Sequence, residues 1–265
     1  MRDFLEFDQA AADLERAAAD PIGKARALNR RDLPQRFYRL AEFRQDSSGF
    51  VVTLDGRDVK TPAKRALAVP QAALAEAITA EWNAQGTHID PGTMPFTRFA
   101  NSVIDGVSDR FVEVVADLAG YAGSDLLCYR ADSPARLVER QGAHWDPILD
   151  WVDEQFGARF LVAEGVIFQA QEPEAIERIR AELARLDPWA LAAVHTVTTL
   201  TGSVLIALAL AKDRLDPDAT WIAGSLEDHW SLEIWGHDEE AAERLAHRKR
   251  EFDAAVAFLA ATKSD

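Results

Sequence analysis

Phe50-Val-Val-Thr-Leu-Asp-Gly-Arg57 decides how the first third of this chain folds. The run at 50–54 is built from aromatic and β-branched residues that fit a pleated surface, and Asp55-Gly56 is a dipeptide that tolerates the positive φ of a tight type I′ turn. Reading backward, the sequence has a period of two from Arg36: Phe37, Arg39, Ala41 and Phe43 alternate with Tyr38, Leu40 and Glu42, and residues 45–49 supply a turn. Reading forward, residues 57–60 return as a third strand. The expectation is a small antiparallel β meander over about residues 36–62. After Pro70 the period becomes helical, with Leu74, Ile78 and Trp82 four apart and Gly86 as the stop, so this helix should cover one face of the meander.

Beyond it the signal is almost entirely helical. Ser108 is placed to cap a helix carrying Phe111, Val115 and Leu118, and Pro134 and Asp146-Pro147 read as the starts of two more, the second with Ile148, Val152 and Phe156. A short β-like interruption at 159–163 and 166–169 precedes a helix with Ile176, Ile179, Leu183 and Leu186 on one stripe. The last third reads as three helices: an apolar one from Pro188, one opened by Asp216-Pro217, and one from about Asp238 with Leu245, Phe252, Val256 and Leu259 aligned. Residues 7–19 suit an amphipathic helix, and Lys24, Arg26, Arg30, Arg31, Arg36, Arg39 and Arg44, which run on into the meander, form a basic stretch expected to be a solvated arm. The fold class is α+β, with an N-terminal α+β domain at 1–133 and a mostly helical domain at 134–265.

The 265 residues carry 29 basic and 44 acidic side chains, a net charge of −15. That balance repels a phosphate backbone and an anionic membrane, so neither nucleic acid nor stable membrane insertion is expected. The single cysteine, Cys128, excludes an internal disulfide framework and a multi-thiolate zinc site, which points to a reducing compartment with Cys128 in the core. Six acids among the first 20 residues argue against a secretory signal or a transit peptide. Residues 189–210 have no formal charge and are long enough to cross a bilayer, but His195, Thr196, Thr198, Thr199, Thr201, Gly202 and Ser203 sit in the middle, so the expectation is a helix buried within the protein.

The motifs of catalysis are missing. Neither phosphate loop nor dinucleotide fingerprint occurs, and there is no GxSxG, HExxH or CxxC. The densest polar stretch is 226–240, with two histidines and six carboxylates around Trp230, Ile234 and Trp235. Asp228 or His229 with Glu233 could offer a metal a pair of ligands, and a metal-assisted or acid/base hydrolase built on His229, Glu233 and His237 is the alternative reading of the chain. Helix-end chemistry explains much of the stretch: Gly236 closes one helix, and Asp238, Glu239 and Glu240 open the next. The large apolar side chains beside those acids have the composition of a protein-binding surface. His144 beside Trp145-Asp-Pro147 is accounted for by local helix structure. Seven tryptophans, at 82, 145, 151, 189, 221, 230 and 235, are expected mostly at helix packing sites.

Taken in order, Arg36-Phe-Tyr38, Leu54-Asp-Gly-Arg57, Val59-Lys-Thr-Pro62, Glu81-Trp82 with Gln85, Met94-Pro95 with Thr97, Asn101, Ile104-Asp105, Asp125-Leu-Leu-Cys-Tyr-Arg-Ala131, Pro134, Leu137, Gln141, Trp145-Asp-Pro147, Trp151 and Trp235-Gly236 form a specific series. Over about residues 36–260 the series resembles the family of assembly chaperones for the alpha subunit of the F-type ATP synthase head. The resemblance implies a cofactor-free protein without catalysis that holds the unassembled alpha subunit, prevents its aggregation and yields it to the beta subunit. It marks Arg57, Lys60, Thr61, Pro62, Glu81, Trp82, Trp145, Asp146 and Pro147 as family-motif positions. It also implies that Glu227, Asp228, Glu233, Trp235 and Gly236 contact the client, and the composition of the stretch adds Trp230 to that protein-binding surface. His237 departs from the acid that often follows Trp-Gly in relatives. The implied location is the bacterial cytoplasm, or the mitochondrial matrix in a eukaryote.

Overall fold

The computed structural model describes residues 33–165, 168–236 and 238–263. The expected helix at 7–19, the basic residues before 33, and Val166 and His237 lie outside the described residues.

The meander forms where the pattern places it. Strands β1 (Ala41–Asp46) and β2 (Gly49–Leu54) are antiparallel and in register from Ala41 opposite Leu54 to Asp46 opposite Gly49. The Asp46 carboxylate accepts from the Ser48 N–H and hydroxyl, which pins the turn between them. Gly49 is required there: its φ is +111°, and a Cβ would lie 2.6 Å from the Val69 carbonyl oxygen. Asp55 and Gly56 both take positive φ, 47° and 78°, and return the chain into the two-residue β3 (Arg57–Asp58). A strand that the periodicity does not show, β4 (Ala68–Val69), pairs with the opposite end of β2 from β3, so β2 is central and Val51 to Leu54 are all buried. Helix α1 (Ala72–Asn83) lays Leu74, Ala75 and Ile78 into the core. It ends before Gly86: the Ala84 N–H still bonds back to Ala80, and Gln85 bonds to Trp82.

Helix α2 (Pro95–Ser102) runs through a π-helical turn at Val103–Val107 towards α3 (Phe111–Ala122). Ser108 does not cap α3: it is itself helical at the end of that turn, and the residue preceding α3 is Arg110, which makes no side-chain cap hydrogen bond. After β5 (Tyr129–Arg130) comes α4 (Ala135–Phe156), a single helix in which Asp146-Pro147 starts nothing. Pro147 removes one backbone hydrogen bond, yet Leu137, Gln141, Trp145, Ile148 and Val152 all lie buried along one face, and that packing carries the helix through. The expected strand at 159–163 shrinks to β6 (Ala163–Glu164), parallel to β5. At Leu161 the Gln171 side-chain amide takes the place of a partner strand, accepting the Leu161 N–H at 2.7 Å and donating to its carbonyl at 2.9 Å.

Helix α5 (Pro173–Leu183) is followed by α6 (Pro188–Thr201), which Asp187 caps through the N–H groups of Trp189 and Ala190. The uncharged segment is not one helix. Gly202, at φ 75°, ends α6, and Ser203 caps α7 (Val204–Ala211), all eight residues of which are buried. No helix among the described residues is long and apolar enough to cross a membrane. The helix opened by Asp216 is likewise two, α8 (Pro217–Gly224) and α9 (Leu226–Trp235), broken where the Ser225 hydroxyl bonds back to the Trp221 carbonyl. The long α10 (Glu239–Thr262) then returns to the first half of the chain, where Phe258 stacks on Phe99 at 4.7 Å and meets Phe96 edge-on at 5.5 Å. One apolar cluster consequently runs from Tyr38 to Leu259, across the expected boundary at 133–134.

Candidate functional site

Helix α9 presents two unlike faces. Leu226 and Trp230 turn inward, and the polar side chains beside them are engaged by neighbouring helices. Glu227 accepts from the amide of the fully buried Gln141 at 2.8 Å, and the other end of that amide accepts the Ala131 N–H at 2.9 Å. Asp228 pairs with Arg248 of α10 at 2.7 Å, and the same guanidinium donates to the Leu200 carbonyl near the C-terminus of α6 at 2.6 Å. The Trp230 ring has two cations of α4 over it, Arg136 and Arg140, each 5.7 Å from its centre. Glu233 meets Arg140 at 2.8 Å and Arg136 at 3.8 Å. Its carboxyl is held below the usual carboxylate range, chiefly by the hydrogen bond from Arg140.

Past Glu233 the end of the helix is exposed. Ile234 is 50% exposed and Trp235 86% exposed. Gly236, at φ 83°, ends the helix, and Asp238 starts α10 by accepting the N–H groups of Glu240 and Ala241. Between the two helices lies a groove of about 340 Å³, with Leu232, Trp235, Ala241 and Leu245 as its apolar wall and Asp228, Arg244 and Arg248 as its polar one. The structure thus brings all six expected contact residues onto one helix and its end, but four of them hold α9 in place. Trp235 and Gly236 face outward. No group of three or more His, Cys, Asp or Glu side chains among the described residues is placed to hold a metal ion. Of the hydrolase set, Glu233 is taken by two arginines, His229 sits 3.5 Å from the Ser225 hydroxyl, and His237 lies outside the described residues.

The family-motif residues are dispersed, and most have work in the fold. The Thr61 hydroxyl donates to Asp105 at 2.7 Å, and the Ala63 N–H beyond Pro62 donates to the same carboxylate. Glu81 caps α2 from a distance, accepting from the N–H of Phe96 and from both the N–H and the hydroxyl of Thr97. The Trp82 carbonyl accepts from the buried Tyr38 hydroxyl at 2.6 Å. Trp145 is fully buried, donates to the Ala223 carbonyl at 2.9 Å and lies under Arg130, which pairs with Asp146 at 2.8 Å. Arg57 and Lys60 are exposed on the meander. Among the tryptophans, 145, 221 and 230 are buried, 82, 151 and 189 half-buried, and only 235 is open to solvent. Arg136 and Arg140 were not expected here. Their spacing of four marks a basic face on α4, but their partners on α9 are some ninety residues away.

A family profile described as the ATP12 chaperone protein matches residues 35–153. The chain is similar to the crystal structure of Atp12 from Paracoccus denitrificans, with a TM-score of 0.82 and 39% identity, over 87% of this chain and 99% of that one. It is similar to a protein of known structure from Agrobacterium tumefaciens at a TM-score of 0.83 and 43% identity, over 87% of each chain. It is also 26% identical, over 227 residues, to the mitochondrial protein atp12 of Schizosaccharomyces pombe, covering 80% of this chain and 78% of that one.

Proposed function

The chain belongs to the ATP12 chaperone family, and from that premise we propose that it is an assembly factor of the F-type ATP synthase that binds the unassembled alpha subunit. It acts without catalysis, keeps that subunit from aggregating and hands it to the beta subunit. The observation that carries this reading is the exposed end of α9: Ile234 and Trp235 stand open beside the groove shared with α10, on a helix whose three carboxylates are fixed by ion pairs and a hydrogen bond. An orphan subunit exposes an apolar interface, and a platform ending in an exposed tryptophan is suited to covering part of it. The surrounding acids and the net charge of −15 keep the chaperone dispersed while that apolar end is uncovered. Arginines holding Asp228 and Glu233 leave the end of the helix as the contact, with the ion pairs as its support. The relatives come from bacteria and from a mitochondrion, in keeping with work in the bacterial cytoplasm or the mitochondrial matrix.

The test is refolding of recombinant alpha subunit followed by light scattering, with and without an equimolar amount of this protein. Suppressed scattering by the wild type and its loss in Trp235→Ser are the expected results. Scattering unchanged by the wild type would refute the proposal.

A further inference from the structure

A second surface stands at the end of the meander. Phe37, Tyr38, Leu54, Arg57, Lys60 and Trp82, drawn from three separate stretches of sequence, line one open cleft of about 580 Å³. Folding explains part of it: Tyr38 is buried with its hydroxyl on the Trp82 carbonyl, and Leu54 belongs to the core. Folding does not explain the rest. Phe37 is 75% exposed, and Arg57 and Lys60 are exposed without a carboxylate partner among the described residues. The two acids that line the cleft are already engaged. The Asp55 carboxylate accepts the N–H groups of Arg39 and Leu40 at 3.1 and 3.0 Å, and Asp58 pairs with Arg44 at 3.1 Å. Arg36, next to the cleft, adds a cation that donates to the carbonyls of Tyr38, Arg39, Asn83 and Gln85 and lies 4.6 Å from the centre of the Tyr38 ring. A chain with a net charge of −15 therefore presents here a cleft that joins exposed aromatic surface to two cations without a carboxylate partner among the described residues.

We propose that this cleft is a second docking site for the client, resting on the reading of the protein as an alpha-subunit chaperone. Its occupant is an extended acidic segment of that subunit bearing a large apolar side chain. The apolar side chain packs against Phe37 and Trp82, and the carboxylates meet Arg57 and Lys60. Charge complementarity selects the occupant, because most other faces of so acidic a chain repel a carboxylate-rich segment, and the two cations of the cleft set the orientation in which the client docks.

The test measures binding of recombinant alpha subunit to the full-length chain at low and at raised salt. The double substitution Arg57→Glu with Lys60→Glu should weaken binding about tenfold or more and flatten its salt dependence, with the melting temperature unchanged. Phe37→Ser should weaken it with the salt dependence kept. Wild-type binding that Trp235→Ser weakens and the charge reversals leave intact would overturn the cleft proposal and leave the chaperone reading standing. No binding by the wild type would overturn the chaperone reading itself. This chain's own Asp3-Phe-Leu-Glu-Phe-Asp8 has the same chemistry, so the third arm adds Asp3→Lys, Glu6→Lys and Asp8→Lys to the charge-reversed protein. Restored binding there would assign the cleft to the chain's own segment and overturn the client assignment, whereas a persisting defect supports it.

Discussion

Asp125 gives the sharpest test of how this fold is held together. Its side chain is fully buried between the turn at 125–128 and the start of α7, accepting the N–H groups of Leu127 at 3.1 Å and Leu205 at 3.2 Å. Burial pushes its carboxyl up from 3.8 to about 6, against the opposing pull of the Ser203 hydroxyl and of backbone N–H groups. The native state therefore binds this proton more tightly than the unfolded chain does. Its contribution to stability falls as pH rises from about 4 to about 6 and levels off above that, by about 3 kcal/mol in all. Asp125→Asn removes the charge and with it this dependence, while its NH₂ group faces backbone donors and costs stability at every pH. Urea unfolding followed by tryptophan fluorescence at roughly pH 5 and pH 7.5 should show wild type losing about 1–2 kcal/mol more than the variant between the two conditions. Parallel pH dependence in the two proteins would refute the assignment of a raised pKa to Asp125.

Glu81→Ala leaves the N–H groups of Phe96 and Thr97 and the Thr97 hydroxyl without their acceptor. The expected loss is about 2–4 kcal/mol in urea unfolding, against about 1 kcal/mol for Glu81→Gln, which keeps one acceptor oxygen. Gly224→Ala would place a Cβ 2.4 Å from the Thr201 methyl, where α8 crosses α6, and should lower stability by about 1–3 kcal/mol. Trp235→Ser should leave the melting temperature unchanged but cost about 2–4 kcal/mol of alpha-subunit affinity in a titration, since the ring packs on little in the free protein.

The elements that local rules control were legible in the sequence. Asp55-Gly56 made its turn, Asp187-Pro188 and Asp216-Pro217 opened their helices, and Asp238 capped the last one. What the sequence hid depends on partners far along the chain. Pro147 looked like a helix start because the face of Trp145 and Ile148 that carries α4 through it is buried by α7 and α8, elements that come later. The uncharged segment looked like one helix because the tight approach of Gly224 to Thr201 and the insertion of Asp125 at the Gly202-Ser203 break have no periodicity to read. At the candidate site the acids and tryptophans of 226–240 were visible as a composition. Which of them faced outward was not, because that was decided by Arg136, Arg140, Gln141 and Arg248 from two other helices.

The central claim is that this protein holds the alpha subunit and gives it up to beta. Size-exclusion chromatography with mass determination by light scattering tests it directly. The protein mixed with unassembled alpha subunit should elute as a one-to-one complex, and adding beta subunit should return the chaperone to its free position as alpha and beta elute together. Separate elution of chaperone and alpha subunit, or a complex that beta leaves intact, would contradict it.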